Sequence, residues 1–310
     1  YLLAESMRPV DAVRAVLQGH SDVVNHASFS PDGRRVLTAG RDHIARVWDT
    51  QSGQLTAILK GHTNSIGHAS FSPDGNRIVT ASLDHTARLF DTQTGKSLFA
   101  LSGHSYWINH AVFSPDGRKI VISSADKTLR LFDSLSGKCI AHLRGHTGPV
   151  NHTCFSPDGR HFLSVSDDQT ARLWECQTCR CLAVLKGHTE WVTAATFSPD
   201  GRYIVTASRD HTAYLWDAQT AKSIVRLIGH TSWVSSATFS PDSRQILTAS
   251  GDGHGGPLRV RRRARSTGES WGTLMPGNPC GTGRASHNVC RRRRGPAAVH
   301  RRAGHRRRRP

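Results

Sequence analysis

A repeat of fixed length constrains this chain more than any other feature. Gly-His pairs end at His20, His62, His104, His146, His188 and His230, each 42 residues after the last. Three further columns keep the same phase. A Ser-Pro-Asp-Gly turn follows every pair, as in Ser30-Pro31-Asp32-Gly33 and Ser198-Pro199-Asp200-Gly201, and only the last copy changes it, with Ser243 in place of Gly. An Asp lies 22 residues after each His, at Asp42, Asp84, Asp126, Asp168, Asp210 and Asp252. An aromatic followed by an acid lies 28 residues after five of them, at Trp48-Asp49, Phe90-Asp91, Phe132-Asp133, Trp174-Glu175 and Trp216-Asp217. Columns in strict phase at such a period mark a chain of stacked supersecondary units.

Inside each unit, short runs rich in Val, Ile, Thr and aromatic residues alternate with turn residues, the texture of strands. In the first copy these runs fall at about 23–29, 35–40, 44–49 and 55–60. Pro31 and Gly33 suit a tight turn after the first run, Asp42 lies in the next turn and Ser52-Gly53 in the third. Each unit therefore reads as a four-stranded antiparallel meander. One such sheet cannot cover both of its faces, so copies must stack side by side, and closing the stack into a ring removes nearly all edges.

These residues resemble the WD-repeat family of β-propellers over about residues 13–252. The resemblance implies an all-β propeller with one blade per repeat, made of five complete repeats and the first half of a sixth. Residues 1–11 then form an N-terminal linker, 12–252 the propeller and 253–310 a separate tail. Residues 12–18 look like a lone outer strand, which in the family commonly closes the ring by completing the last blade. Similar arrays occur in bacterial signalling ATPases and kinases, so the resemblance implies a cytoplasmic scaffold, or the sensor part of a larger signalling protein. Tyr1 is not a start Met, and the expectation is a fragment or processed chain.

Repetition argues against reading the phased His, Asp and Trp as active sites, because an enzyme needs one. The resemblance assigns them to a structural network in which the imidazole bonds the turn Asp, a Ser or Thr joins it and the indole completes the set. Complete sets are His20, Thr38, Asp42 and Trp48; His146, Ser164, Asp168 and Trp174; and His188, Thr206, Asp210 and Trp216. Phe90 and Phe132 lack an indole N–H, and Ile122 replaces the hydroxyl of the third copy, although Ser124 lies on the same side of that strand. Units two and three are therefore expected to be the weaker ones. No catalytic residue, metal or cofactor is expected.

A further column, His26, His68, His110 and His152, recurs on the first strand of four units. Imidazole is a common metal ligand, but neighbouring blades are expected to hold equivalent atoms many ångströms apart, whereas ligands lie ~2.0–2.1 Å from a zinc. Cys176, Cys179 and Cys181 fall where other copies carry Gly53, Gly95 and Gly137, which points to a solvated outer turn.

Binding should lie in positions that vary among otherwise similar copies. The residues after Gly-His include Tyr106, Trp107, Glu190, Trp191 and Trp233, and the position before the turn Asp includes Arg41, Asp167 and Arg209. In the family both columns border the top face around the central channel. Aromatic residues with Arg have the composition of an interaction hot spot, so the expected partners are proteins.

Charge divides the chain sharply. Residues 1–252 hold 25 Lys and Arg against 22 Asp and Glu, while residues 253–310 hold 16 against 1, all of the 16 being Arg. The formal +18 therefore belongs mostly to the tail. Its composition predicts disorder. Three readings stand: an Arg-rich arm that binds nucleic acid, a solvated tail, or a slipped reading frame in a GC-rich gene, which the abrupt loss of Lys favours. No 18-residue apolar run is present, so a membrane span is not expected. Seven Cys in a chain this long do not form a disulfide framework and suit a reducing compartment.

Overall fold

The computed structural model describes residues 16–252, 259–265 and 268–274. The linker expected at 1–11, the greater part of the strand expected at 12–18 and the remainder of the tail lie outside the described residues. Every described element is a strand. Six four-stranded antiparallel sheets follow one another, each with its strands in sequence order. Sheet 1 comprises Val24–Phe29, Arg35–Gly40, Ala45–Asp49 and Leu55–Leu59, each bound within a residue of the sequence reading. Sheets 2 to 5 repeat it, with first strands Ile66–Phe71, Ile108–Phe113, Val150–Phe155 and Val192–Phe197.

Local chemistry sets these boundaries. In the turn after the first strand, Ser30 Oγ donates to Asp32 Oδ1 at 2.6 Å, and Gly33 takes the left-handed conformation with φ 69°. A residue without Cβ does so at little cost, and Ser243 does so at φ 57° in the last copy. Each first strand also carries a bulge, where register slips between residues 24 and 26 in sheet 1 and at the matching place in the other five. The extra residue places Ile66 and Ala69, three positions apart, in one buried face.

Burial is completed between sheets. Leu37, Ala39, Ala45, Val47 and Leu59 of sheet 1 pack against Ile66, Ala69, Ile78 and Phe90 of sheet 2. The same columns build the seams between sheets 2 and 3, 3 and 4, 4 and 5, and 5 and 6. Each fully buried Leu or Ile is worth about 1.5–3 kcal/mol, so every sheet depends on its neighbours. Hydrogen bonds cross the seams at fixed places: Asn25 Nδ2 donates to Ile66 O at 2.9 Å, Asn109 Nδ2 to Val150 O at 2.9 Å and Thr193 Oγ1 to Val234 O at 2.7 Å.

Sheet 6 departs from the period. Its first two strands are Val234–Phe239 and Gln245–Ser250, followed by Arg259–Arg265 and Gly268–Leu274. The last two fall inside the stretch whose composition predicts disorder. Composition weighs the side chains available for a core, whereas the open backbone edge of Gln245–Ser250 accepts any extended partner. The join is short, with Gln245 opposite Arg261 and Ile246 opposite Val260, where the matching strands of sheet 5 pair from Tyr203–Asp217 to Ala207–Ala213. Gly268–Leu274 occupies the outer position of this sheet, and residues 16–18 form no strand.

The phased polar residues are bonded in series inside the sheets. Trp174 Nε1 donates to Ser164 Oγ at 2.8 Å, Ser164 Oγ lies 2.8 Å from His146 Nε2, and His146 Nδ1 lies 2.7 Å from Asp168. An indole can only donate, so the Ser proton goes to Nε2 and the imidazole N–H points at the carboxylate. His188, Thr206, Asp210 and Trp216 repeat this series at 2.8–3.0 Å. In sheet 1, Thr38 joins Trp48 to His20 at 2.8 Å each, His20 lies 3.0 Å from Asp42, and Arg46 donates to that carboxylate at 2.7 Å. A further member recurs in sheets 2 to 5, where Thr86, Thr128, Thr170 and Thr212 donate to their Asp at 2.6–2.7 Å. Burial would raise the pKa of Asp84, but bonds from Thr86 and His62 outweigh it and hold the value at about 2. Against the same burial, His146 and Thr170 hold Asp168 well below the usual carboxylate range.

Sheet 3 lacks part of the series. Ile122 offers no hydroxyl, and Ser124 donates instead to the carbonyls of Trp107 and Tyr106 at 2.8 and 3.2 Å. His104 Nε2 is left buried without a partner, a cost of about 1–3 kcal/mol.

The column expected to be too widely spaced is instead in contact. Ring centroids lie 4.3 Å apart for His26 and His68, 3.7 Å for His68 and His110, and 4.1 Å for His110 and His152. First strands of consecutive sheets pack directly on one another, so equivalent side chains meet. Among the described residues no group of His, Cys, Asp or Glu is arranged to hold a metal ion. Burial lowers the pKa of His26, pushes His68 and His110 well below the ordinary value and brings His152 to about 4.

Two outcomes follow from these contacts. Asp168→Ala should cost about 3 kcal/mol or more, because it unpairs a complete series, and Asp126→Ala less; urea denaturation of both variants ranks them. The unfolded chain binds protons on its histidines below about pH 6.5 while folded His152 does not until about pH 4, so stability should fall as pH drops through that window. His152→Gln should reduce the loss between pH 7.5 and 4.5 by on the order of 2–3 kcal/mol, read from denaturation midpoints at the two pH values.

Candidate protein-interaction face

Gly-His loops and the turns between second and third strands share one end of each sheet, because adjacent strands run antiparallel. A main-chain bond fixes their relative position. The N–H of Arg41, Leu83, Ala125, Asp167, Arg209 and Gly251 donates to the carbonyl of Val23, Ser65, Trp107, Pro149, Trp191 and Trp233 respectively, at 2.8–3.1 Å. Each variable position before a turn Asp is thereby locked beside the variable residues of its own Gly-His loop.

Two aromatic clusters result. Across the seam of sheets 5 and 6, the Arg209 guanidinium lies 4.2 Å from the ring centre of Trp191 and 5.1 Å from that of Trp233. Cation–π attraction of this kind is worth about 0.5–1 kcal/mol at an exposed site. Both Trp rings remain some two-fifths exposed despite it, at 40% and 44%. Trp233 needs its neighbour to be small, since a Cβ on Gly251 would meet the indole Nε1 at 2.0 Å.

Across the seam of sheets 2 and 3, Tyr106 lies 4.8 Å from Trp107 and stacks on His85 at 5.8 Å between ring centres. His85 sits in a turn at φ 67° and is exposed. Its part in the cluster has no periodic signal, because it depends on Tyr106 reaching over from the next sheet.

Acidic and basic members fall around these clusters. Glu190 and Arg41 are exposed. Asp167 is half-buried and accepts from Asn151 Nδ2 at 2.7 Å, which holds it toward its own sheet. The eight variable residues thus comprise an Arg209, Trp191 and Trp233 group, a Tyr106 and Trp107 group, and Arg41, Asp167 and Glu190, the last of them directly before Trp191. The network residues from His20 to Trp216 are engaged with one another instead, tying those loops and turns to the strands beneath. Cys176 is buried against sheet 3, with Lys119 Nζ 3.1 Å from its carbonyl, so the turn expected to be solvated is partly interior. Cys176 stands in the column of Thr50, Thr92 and Ser134, while Cys179, in the Gly column, is partly buried against the same cluster.

No helix among the described residues is long and apolar enough to cross a membrane. A family model described as WD domain, G-beta repeat matches residues 12–49, 53–91, 95–133, 137–175, 179–217 and 221–254. Among curated proteins, Ribosome assembly protein 4 of Saccharomyces cerevisiae is 38% identical over 50 residues, covering 16% of this chain and 9% of that protein. Periodic tryptophan protein 2 of the same yeast is 53% identical over 36 residues, 12% of this chain and 4% of its own length. The matches thus span less than a tenth of each curated relative, about the length of one repeat. Six repeats in phase, each matched by the family model, show that the chain belongs to the WD domain, G-beta repeat family.

Proposed function

We propose that this chain is a non-catalytic platform for protein–protein interaction, and that partners dock on the end of the sheets carrying Tyr106, Trp107, Trp191, Trp233 and Arg209. One observation carries the reading: a guanidinium held between two half-exposed indoles, on loops locked by main-chain bonds. Large rigid rings lose little entropy on binding, and Trp, Tyr and Arg dominate the residues whose truncation costs an interface most. Arg41 and Glu190 offer rim charges of both signs. The fold imposes repeated networks inside the sheets, but nothing in their hydrogen bonding requires exposed indoles at the loop tips.

Ribosome assembly, named by one yeast relative, and signalling, suggested by regular repeats, are both assembly processes that a platform of this kind serves. The described cysteines form no disulfide, which suits a cytoplasmic setting. A second reading rests on the 16 Arg of residues 253–310, which would bind nucleic acid through phosphate contacts. Such binding weakens steeply with salt, whereas aromatic docking does not. Cutting the chain after residue 252 is a poor discriminator, since it would remove two strands of sheet 6.

The expected outcome is that a Trp107, Trp191 and Trp233 triple Ala variant folds normally but loses partner capture in pull-downs at low and moderate salt. A folded variant that still captures every partner of the parent would show that docking lies elsewhere. Capture that disappears only on raising salt would favour the nucleic-acid reading.

A further inference from the structure

The first and last sheets expose columns that every internal seam buries. Ile66, Ile108, Val150, Val192 and Val234 begin their first strands fully buried, but Val24 is 44% exposed in sheet 1. Ala27 and Phe29 on the same face are also uncovered, Phe29 to 66%, and Val36 is only half-buried where Ile78, Ile120, Phe162, Ile204 and Ile246 are fully buried. At the other end, Leu247 is 47% exposed and Ala249 is exposed, in the columns where Leu37, Val79, Leu163 and Val205 are fully buried. These are not scattered apolar residues. They are the following half of one seam and the preceding half of another.

Polar groups repeat the match. Within the chain, the Thr193 hydroxyl reaches the carbonyl of Val234, and Thr196 reaches that of Ala237 at 3.3 Å. The same columns put exposed Ser235 and Thr238 on sheet 6, and carbonyls of Val24 and Ala27 on sheet 1. Sheet 6 therefore offers sheet 1 the Leu37 and Ala39 columns and both hydroxyl positions, in the arrangement by which sheet 5 meets sheet 6.

We propose that a second copy of the chain completes this seam head to tail, its sixth sheet docking on the first sheet of its neighbour. The halves are different surfaces, so the contact is heterologous and leaves one free end of each kind on the pair. Further copies can add until a ring closes or the ends fray. Phe29 and Val24 pack on Leu247 and Ala249 of the next copy, as Phe71 and Ile66 pack beside Leu37 and Ala39. The occupant is set by chemistry on the page: an apolar strand pair with hydroxyls at two fixed places, which this chain presents at its own other end.

Sedimentation velocity of the full chain tests it, using Phe29→Asp and Leu247→Asp. Both side chains are exposed in a single copy, so each variant should keep the melting temperature that the parent shows at concentrations where it is monomeric, which is measured alongside. The parent should rise from monomer mass to at least twice that mass with increasing concentration. Each variant alone should stay monomeric at the same concentrations. An equal mixture should form dimers and nothing larger, because one intact end of each kind remains. A parent that stays monomeric throughout overturns the proposal, as closure on itself or a different protein in the gap would produce. Variants that each still associate, or a mixture that stays monomeric, overturn it equally.

Discussion

A sheet of four strands, each five to seven residues long, has two faces and no interior of its own, so contact between consecutive sheets carries the burial that folding requires. In this chain that contact uses the same columns five times, with Leu37, Ala39 and Val47 answering Ile66, Ala69 and Phe90 in the first instance. Side-chain size is traded within the column without changing its role. Phe162 stands where Ile78 and Ile120 do, and Trp174 or Trp216 where Phe90 does, each buried. The period of the sequence is thus the period of an interface.

The His-Asp series acts on a different scale. It ties the Gly-His loop to the turn between the second and third strands, two segments 22 residues apart in sequence. With the loops anchored this way, variable residues beside them can change without disturbing the sheets. Arg209 directly precedes Asp210 and Trp191 lies three residues after His188, so the exposed pair is carried on the two segments that this anchor ties together. The binding face and the structural network are therefore neighbours, but they draw on different residues.

Strand positions, turns and the sets around His146 and His188 were legible because each is fixed by local texture or by phase. A Thr two residues after the turn Asp recurs in sheets 2 to 5, as in Asp84-His85-Thr86, and is a weaker column than the His or Asp because Ile44 takes its place in the first copy, yet it supplies a bond in each of those four sheets. Other features had no such signal. Contact among His26, His68, His110 and His152 depends on how closely first strands approach, a distance that strand pattern does not encode. Pairing of Arg261 with Gln245 rests on a backbone edge, to which composition is blind. The stacking of His85 on Tyr106 joins two sheets through side chains that no column links.

Because each sheet touches only those beside it, the molecule behaves as a one-dimensional lattice whose terminal units have a single neighbour. Sheet 6 is such a unit, and its third strand is joined to its second by only two residue pairs. Arg209 belongs to sheet 5 and Trp233 to sheet 6, so this half of the aromatic face exists only while the terminal sheet is docked. A ligand that grips both indoles would consequently act as a latch on the most easily lost unit, and any change that loosens that unit would be felt as weaker binding by a partner that never touches it.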